Sequence, residues 1–220
     1  HSGESVNENI RIQKDGIYID GQPARGIVVD AETDLDLPFQ YSVKSTVTGK
    51  NTVYWIRTES GKLHPMTESY TKITNDFYEQ MLKEGKPDRV FDTVEAMQVQ
   101  MLKDFPDSNL FIAHNAGFDM KYMPKKFQDE MLIMDTLPLF RLIYHDSFKR
   151  FGLEGLAEAE LTRGGYLDEL TKRLKGEVAD LLEGDYQLDK VNFHNANFDT
   201  EVLHKLLFQT DDNGSMKMFN

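Results

Sequence analysis

The stretch that most constrains the fold runs from Gly26 to Asp34 and reads G-I-V-V-D-A-E-T-D. Its three consecutive branched apolar residues predict a short, buried β-strand, and Asp34 is typical of the turn that follows. Asp30 and Glu32 are two residues apart in extended backbone, so their side chains leave the same face. In apolar surroundings such a pair needs a strong counter-charge, and a hard divalent cation supplies one. The alternative is a solvated strand end without a function.

Composition limits the classes of protein that the chain can belong to. Its 220 residues are 40% hydrophobic, which is enough for one well-packed domain or two small ones. No apolar run is long enough to span a membrane, so no membrane partner is expected. The absence of cysteine excludes disulfides and thiolate metal ligands and fits a reducing compartment, and we expect the protein in the cytoplasm. A net charge of −12 argues against a broad basic surface for nucleic acid, so any phosphate would be met locally.

The periodicity of apolar residues predicts strands first and helices later. Strands are predicted at 10–19 as a hairpin turning at Asp15-Gly16, and at 26–34, 39–48, 52–58, 110–113 and 131–134. Helices are predicted around 77–81, after an N-cap at Asp92-Thr93, from Phe118, through much of 153–183, and over 200–208. This order predicts an α/β fold with a mixed β-sheet flanked by helices. We expect an N-terminal extension over 1–25, a main domain over 26–210 and a polar tail over 211–220.

Segments 114–119 and 194–199 share the pattern H-N-A-x-F-D. Each opens a predicted helix, so its Asp is held on a rigid element and can direct a carboxylate over the edge of the sheet. The flanking residues do not match, which argues against an internal duplication. Asp119 and Asp199 could instead be first-turn acids that the helix dipole favours. Because the same segment occurs twice, and both copies follow the acidic pair of Asp30 and Glu32, a functional role is favoured for Asp119 and Asp199.

The order of these motifs resembles that of the DEDDh (DnaQ-like) 3′–5′ exonucleases, which include DNA polymerase III proofreading subunits and ribonuclease T. The matching segments are D-x-E at 30–32, H-N-A-x-F-D at 114–119, D-T-L-x-x-x-R at 135–141 and H-x-x-x-x-D at 194–199. Segment 70–77 is also similar to the family's H-G-I-T segment, with Thr71 and Lys72 in place of His and Gly. The resemblance covers roughly residues 26–208 and implies a ribonuclease H-like fold.

The resemblance also implies roles for five residues. It makes Asp30, Glu32, Asp119 and Asp199 the ligands of two divalent metal ions, Mg²⁺ or Mn²⁺, and makes His194 the general base. Two such ions about 3.5–4 Å apart hold an attacking water and a leaving 3′-oxygen in line across one phosphorus. An imidazole with a pKa near ~6.5 is a suitable proton acceptor at neutral pH. A tyrosine in place of His194 would indicate the DEDDy branch.

Contacts with the substrate are expected from residues next to these acids and from the segment that lines the terminal base in the family. They are Thr33, Tyr70, Thr71, His114 and Asn115. Phe118 and Phe198 are expected to anchor the core rather than to stack on bases. Asp135 is expected to have a structural or orienting role near Arg141, because four carboxylates already complete the ligand set.

The expected activity is metal-dependent hydrolysis at the 3′ ends of single-stranded nucleic acid, with DNA favoured over RNA, releasing nucleoside monophosphates. The alternatives are an exoribonuclease that trims RNA 3′ ends, a noncatalytic module that docks to a polymerase, and a purely structural metal-binding domain. A replication or repair protein is the expected protein partner. The stretch 157–190 is longer than in the family and is interpreted as a substrate-gating arm, a docking surface or a solvated helix.

Overall fold

The computed structural model describes residues 10–144, 161, 165–181, 195–209 and 216. The strands are β1 (Ile10–Gln13), β2 (Gly16–Ile19), β3 (Gln22–Pro23), β4 (Gly26–Asp34), β5 (Leu37–Ser45), β6 (Asn51–Ile56), β7 (Val90–Phe91), β8 (Leu110–Ala113) and β9 (Leu132–Asp135). The helices are α1 (Pro65–Thr71), α2 (Asn75–Glu84), α3 (Val94–Asp104), α4 (Ala116–Met120), α5 (Lys125–Glu130), α6 (Thr136–Tyr144), α7 (Tyr166–Leu181) and α8 (Ala196–Leu207).

Six strands form the main sheet in the order β7-β6-β5-β4-β8-β9. Strands β4, β5 and β6 are an antiparallel meander. Strand β8 pairs in parallel with β4, and β9 pairs in parallel with β8, while β7 adds a short parallel edge beside β6. The predicted α/β fold with a mixed sheet flanked by helices is therefore confirmed, and it is consistent with a ribonuclease H-like fold.

Successive residues of β4 enter two different hydrophobic cores, because side chains alternate along a strand. Val28 packs into the core that contains Phe77 of α2 and Phe198 of α8. Val29 packs into the core that contains Met97 of α3 on the opposite face of the sheet. Both faces of the strand are thus covered, which explains why Ile27, Val28 and Val29 form an uninterrupted apolar run. Each fully buried side chain of this size contributes about 1.5–3 kcal/mol.

The predicted N-terminal hairpin is present as β1 and β2, which form a separate three-stranded sheet with β3. Its turn lies one residue earlier than predicted: Gln13 pairs with Gly16, so Lys14 and Asp15 form the loop. There Asp15 accepts a hydrogen bond of 2.7 Å from the Tyr18 hydroxyl, which holds it in the turn. The apolar side chains of this hairpin are buried in the same core as α2 and α8; they are Ile10, Ile12 and Ile17.

Strand β4 extends beyond its buried apolar run and continues to Asp34. The chain reverses only at Leu35, which has a left-handed φ of 55°. Strand β5 then carries one extra residue, because Thr33 pairs with Pro38 while Glu32 pairs with Gln40. Such a bulge bends the strand and redirects the neighbouring side chains. It lies directly beside the acidic pair.

Several helix boundaries differ from the predictions. Helix α3 has the predicted cap, since the Thr93 side chain accepts from the N–H of Ala96. Helix α1 was not predicted; Pro65 at its first position and the His64 cap define its start. Helix α8 begins at Ala196, four residues before the predicted start. Helix α7 accounts for part of the predicted helical stretch 153–183, and most of the rest lies outside the described residues. Among the helices that the structure describes, none is both long and apolar enough to cross a membrane.

Candidate metal centre

Asp30 and Glu32 lie on the same face of β4, as their spacing predicted. Glu32 is 9% exposed. Across the sheet, Asp30 pairs with Ser42 and Glu32 pairs with Gln40 of β5. The two carboxylates therefore lie beside a polar stretch of the neighbouring strand, at the point where β5 carries its bulge.

Helix α8 brings a third carboxylate to this pair. Its Ncap residue is Asn195, whose side-chain oxygen accepts a hydrogen bond of 3.1 Å from the N–H of Asn197. Asp199 follows in the first turn and is 6% exposed. One carboxylate oxygen from each of Asp30, Glu32 and Asp199 lies within 4.8 Å of the other two. These three residues are called the acidic cluster below. Two of them lie on β4 and the third lies on α8, far away in the sequence.

Burial raises the pKa values of two members of the acidic cluster. Burial raises the pKa of Asp30 to about 7, although hydrogen bonding with Glu32 and Asp199 opposes that shift. The pKa of Glu32 is raised well above its ordinary value, first by burial and then by the charges of Asp30 and Asp199. The Oδ2 atom of Asp30 is buried without a hydrogen-bond partner among the described residues. An oxygen-rich, buried and electron-rich set of this kind fits a hard divalent cation.

Asp119 lies beside the cluster on α4 and is 2% exposed. Its Oδ1 atom accepts a hydrogen bond of 2.9 Å from the backbone N–H of Ala31. The pKa of Asp119 is raised, first by burial and then by the charge of Asp30. The carboxylate is thus electrostatically coupled to the cluster, but it is not one of the three groups that meet within 4.8 Å.

The predicted general base, His194, lies outside the described residues, so its role stays a prediction. Phe118 and Phe198 occupy equivalent positions of the two H-N-A-x-F-D segments and differ in burial. Phe198 is 1% exposed and anchors the core, as expected. Phe118 is 46% exposed, so the expectation of a core anchor is wrong there. The short helix α4 turns Phe118 outward while it turns Ala116 and Met120 inward.

The residues predicted to contact substrate in segment 70–77 have different environments. Tyr70 is 59% exposed. Thr71 is 1% exposed, and its hydroxyl donates to the Thr67 carbonyl at 2.8 Å and accepts from the Ile73 N–H at 3.2 Å. Lys72, in place of the family's Gly, has a left-handed φ of 63° and ends α1. The Thr71 hydroxyl therefore closes the helix end, and Tyr70 is the exposed member of the pair.

The other predicted substrate residues lie at the carboxyl ends of β4 and β8. Thr33 is half-buried next to the cluster. His114 Nδ1 is 2.9 Å from the Thr136 hydroxyl. Asn115 is exposed with a left-handed φ of 70°, and its N–H donates to Asp135 Oδ1 at 2.9 Å. Asp135 also accepts from the Leu137 N–H at 3.0 Å, so its carboxylate holds two backbone N–H groups; its expected position near Arg141 stays a prediction.

Sequence reasoning missed the residues of β5 that face α8. Gln40 is 1% exposed, pairs with Glu32 and exchanges hydrogen bonds with the start of α8. Its position in an alternating polar and apolar strand is typical of a solvated face, so no local signal marks it. The long-range contact with α8 becomes visible only in the folded chain.

Comparison with known proteins gives a distant similarity. The chain is 26% identical over 215 residues to DNA polymerase III PolC-type of Streptococcus pyogenes serotype M2. The same protein of serotype M18 is also 26% identical over 215 residues. Both alignments cover 92% of this chain and 12% of the polymerase, so the chain spans a small part of the length of the curated relatives it matches. No family model matches the chain.

Proposed function

We propose that this chain is a metal-dependent 3′–5′ exonuclease that hydrolyses phosphodiester bonds at the 3′ ends of single-stranded nucleic acid and releases nucleoside monophosphates. The observation that carries the proposal is the buried acidic cluster of Asp30, Glu32 and Asp199, within 4.8 Å of one another. A structural ion pair would place a basic side chain there, whereas three buried carboxyl groups can ionise together only when cations offset their charge.

Each residue of the site would then have one role in the reaction. Asp30, Glu32 and Asp199 would hold divalent metal, and Asp119 would complete the ligand set from α4. Two bound Mg²⁺ or Mn²⁺ ions would neutralise the charge that develops on the phosphate and orient the attacking and leaving oxygens. His194 would accept the proton of the attacking water, and the exposed residues Tyr70 and Asn115 would contact the terminal nucleotide.

DNA is the favoured substrate because the similar proteins are DNA polymerases. The resemblance to the DEDDh family supports the same choice, since that family includes DNA polymerase III proofreading subunits. We infer that a replication or repair protein is the partner and that the cytoplasm is the location. A 2′-hydroxyl contact decides between DNA and RNA, so matched oligonucleotides distinguish the two substrates.

The test is incubation with 5′-labelled single-stranded DNA and RNA of one sequence, with Mg²⁺ or Mn²⁺ and then with EDTA. The expected result is a metal-dependent ladder that shortens from the 3′ end, faster on DNA. Asp30→Asn is expected to abolish the ladder. Asp129→Asn is the matched control, because Asp129 is an exposed carboxylate on α5 that forms an ion pair with Lys125 across one helical turn. Absence of cleavage of either substrate by the metal-loaded chain would replace the exonuclease with a noncatalytic binding module.

A further inference from the structure

Strand β5 carries three buried polar side chains on the face that meets α8. Gln40, Ser42 and Lys44 are 1%, 0% and 8% exposed. They alternate with Tyr41 and Val43, which enter the opposite core. Gln40 and Ser42 pair across the sheet with the two ligand candidates of β4, Glu32 and Asp30. These three β5 residues and their partners on α8 are called the polar seam below.

Gln40 fixes the first residues of α8. Its Nε2 donates to Asn195 Oδ1 at 3.2 Å, and its Oε1 accepts from the Ala196 N–H at 2.9 Å. Both ends of one amide are thereby used on one helix terminus. The side chain of Gln40 thus fixes where α8 begins relative to β5. Gln40 is also the residue that pairs with Glu32 across the sheet.

Ser42 fixes α8 one turn further on. The hydroxyls of Ser42 and Thr200 are 2.8 Å apart. Asn51 Nδ2 donates to Thr200 Oγ1 at 2.9 Å, and Ser42 Oγ donates to Asn51 Oδ1. The Thr200 hydroxyl also donates to the Asn197 carbonyl at 3.1 Å, so Ser42, Asn51 and Thr200 belong to one connected set of hydrogen bonds. Thr200 directly follows Asp199, so this set holds α8 next to the third ligand candidate.

Lys44 completes the polar seam through an ion pair. Its ammonium group is 3.0 Å from Glu201 Oε2 and donates to the Gly49 carbonyl at 2.9 Å. Arg173 of α7 contacts the same Glu201 oxygen at 3.1 Å. Helix α7, which lies within the stretch 157–190, therefore braces α8 from outside, with Leu170 and Leu174 buried in the shared core.

We propose that Gln40 and Ser42 are positioning residues for the metal centre. The polar seam fixes both the position of α8 along its axis and its rotation about that axis. The inference rests on the proposed function in that it assumes the acidic cluster binds metal. Apolar side chains would fill the same space without fixing how α8 is aligned with β5. Hydrogen bonds are directional, and those before and after Asp199 allow one alignment of α8 with β5. Residues that orient metal ligands in this way change metal affinity about ten- to a hundredfold when they are substituted.

The test measures Mn²⁺ affinity directly, by electron paramagnetic resonance of free Mn²⁺ titrated with metal-free protein. Gln40→Met and Ser42→Ala are expected to weaken Mn²⁺ binding about tenfold or more. The matched control is Val43→Ala, on the same strand but facing the other core, where it is 0% exposed. Val43→Ala is expected to lower the melting temperature while leaving Mn²⁺ affinity unchanged well below that temperature.

A double-mutant cycle separates positioning from general stability. In an Asp199→Ala background, Gln40→Met is expected to cause no further loss of Mn²⁺ affinity, because the ligand that it positions is gone. Equal Mn²⁺ affinity in wild type and Gln40→Met, or an equal loss in both backgrounds, would overturn the inference. A wild-type chain that binds Mn²⁺ but cleaves no nucleic acid would overturn only the proposed function. A wild-type chain that binds no Mn²⁺ would overturn both.

Discussion

The carboxylate of Asp119 accepts a hydrogen bond from the backbone N–H of Ala31, the residue that separates Asp30 from Glu32. This bond connects α4 to the middle of β4, between the two acidic residues of that strand. It also brings another buried carboxyl group next to Asp30, and burial, followed by the charge of Asp30, raises the pKa of Asp119. Several buried carboxyl groups so close together are unfavourable in their ionised form unless cations offset their charge.

Asp119→Asn is expected to separate stability from activity. The amide oxygen can still accept from Ala31, while the buried charge is removed, so the melting temperature in EDTA is expected to rise. Exonuclease activity is expected to fall at least about a hundredfold, since even substitutions outside the ligand set reach that size. Thermal denaturation in EDTA and the oligonucleotide ladder check the two effects. A variant that is less stable than wild type in EDTA would contradict this prediction.

Metal affinity is expected to rise with pH between 6 and 8. Because burial raises the pKa of Asp30 to about 7, the metal-free site holds a proton at neutral pH that a cation has to displace. The apparent Mn²⁺ affinity is expected to rise up to about tenfold per pH unit below that pKa. Calorimetry in two buffers with different ionisation enthalpies measures the released protons. Affinity that does not change with pH would contradict the raised pKa.

His204 is expected to make folding sensitive to acid. Burial, and next the nearby charge of Lys44, lower the pKa of His204 to about 4, although Glu201 opposes the shift. In the unfolded chain His204 takes up a proton near its ordinary pKa of 6.5. The contribution of neutral His204 to folding stability is therefore fully present above pH 6.5. That contribution is lost as the pH falls towards 4, by up to about 3 kcal/mol.

The measurement for His204 is the difference in free energy of unfolding between wild type and His204→Gln from pH 7 to pH 4. Both proteins carry the same carboxylates, so their titration cancels in that difference. The variant is expected to lose less stability than wild type over this range. A constant difference would show that His204 takes up its proton equally in the folded and unfolded states.

Lys72→Gly is expected to stabilise the fold by about 1 kcal/mol. Lys72 ends α1 with a φ of 63°, a conformation that costs an L-residue about 1–2 kcal/mol and costs glycine little. Lys83→Gly is the matched control, because Lys83 lies within α2 and glycine there is expected to destabilise by about 1 kcal/mol. Urea denaturation of both variants checks the opposite signs, and two destabilised variants would contradict the prediction.

Local pattern predicted the elements that carry their own signal. The apolar run before Asp30 predicted β4, and the alternating spacing of Asp30 and Glu32 placed both carboxylates on one face, because strand geometry alone decides it. The two H-N-A-x-F-D segments predicted where α4 and α8 begin more closely than periodicity did, since each helix starts at the Ala of its segment.

Contacts between distant segments could not be predicted in this way. Asn115 and Asn195 hold the same place in the two segments, yet Asn115 is left-handed with φ 70° and Asn195 is extended with φ −98°. Asp135 holds the N–H of Asn115, whereas Gln40 holds the side chain of Asn195. These partners come from other strands, so the motif alone does not determine its own backbone conformation.

Glu32 and Asp199 meet in space although most of the described chain separates them in sequence. A ribosome therefore synthesises α8 long after β4, β5 and β6. A chain that stops before Ala196 contains every strand of the six-stranded sheet but lacks Asp199. The acidic cluster is thus completed by one of the last described elements to be synthesised, and a shorter chain would hold only two of its three carboxylates.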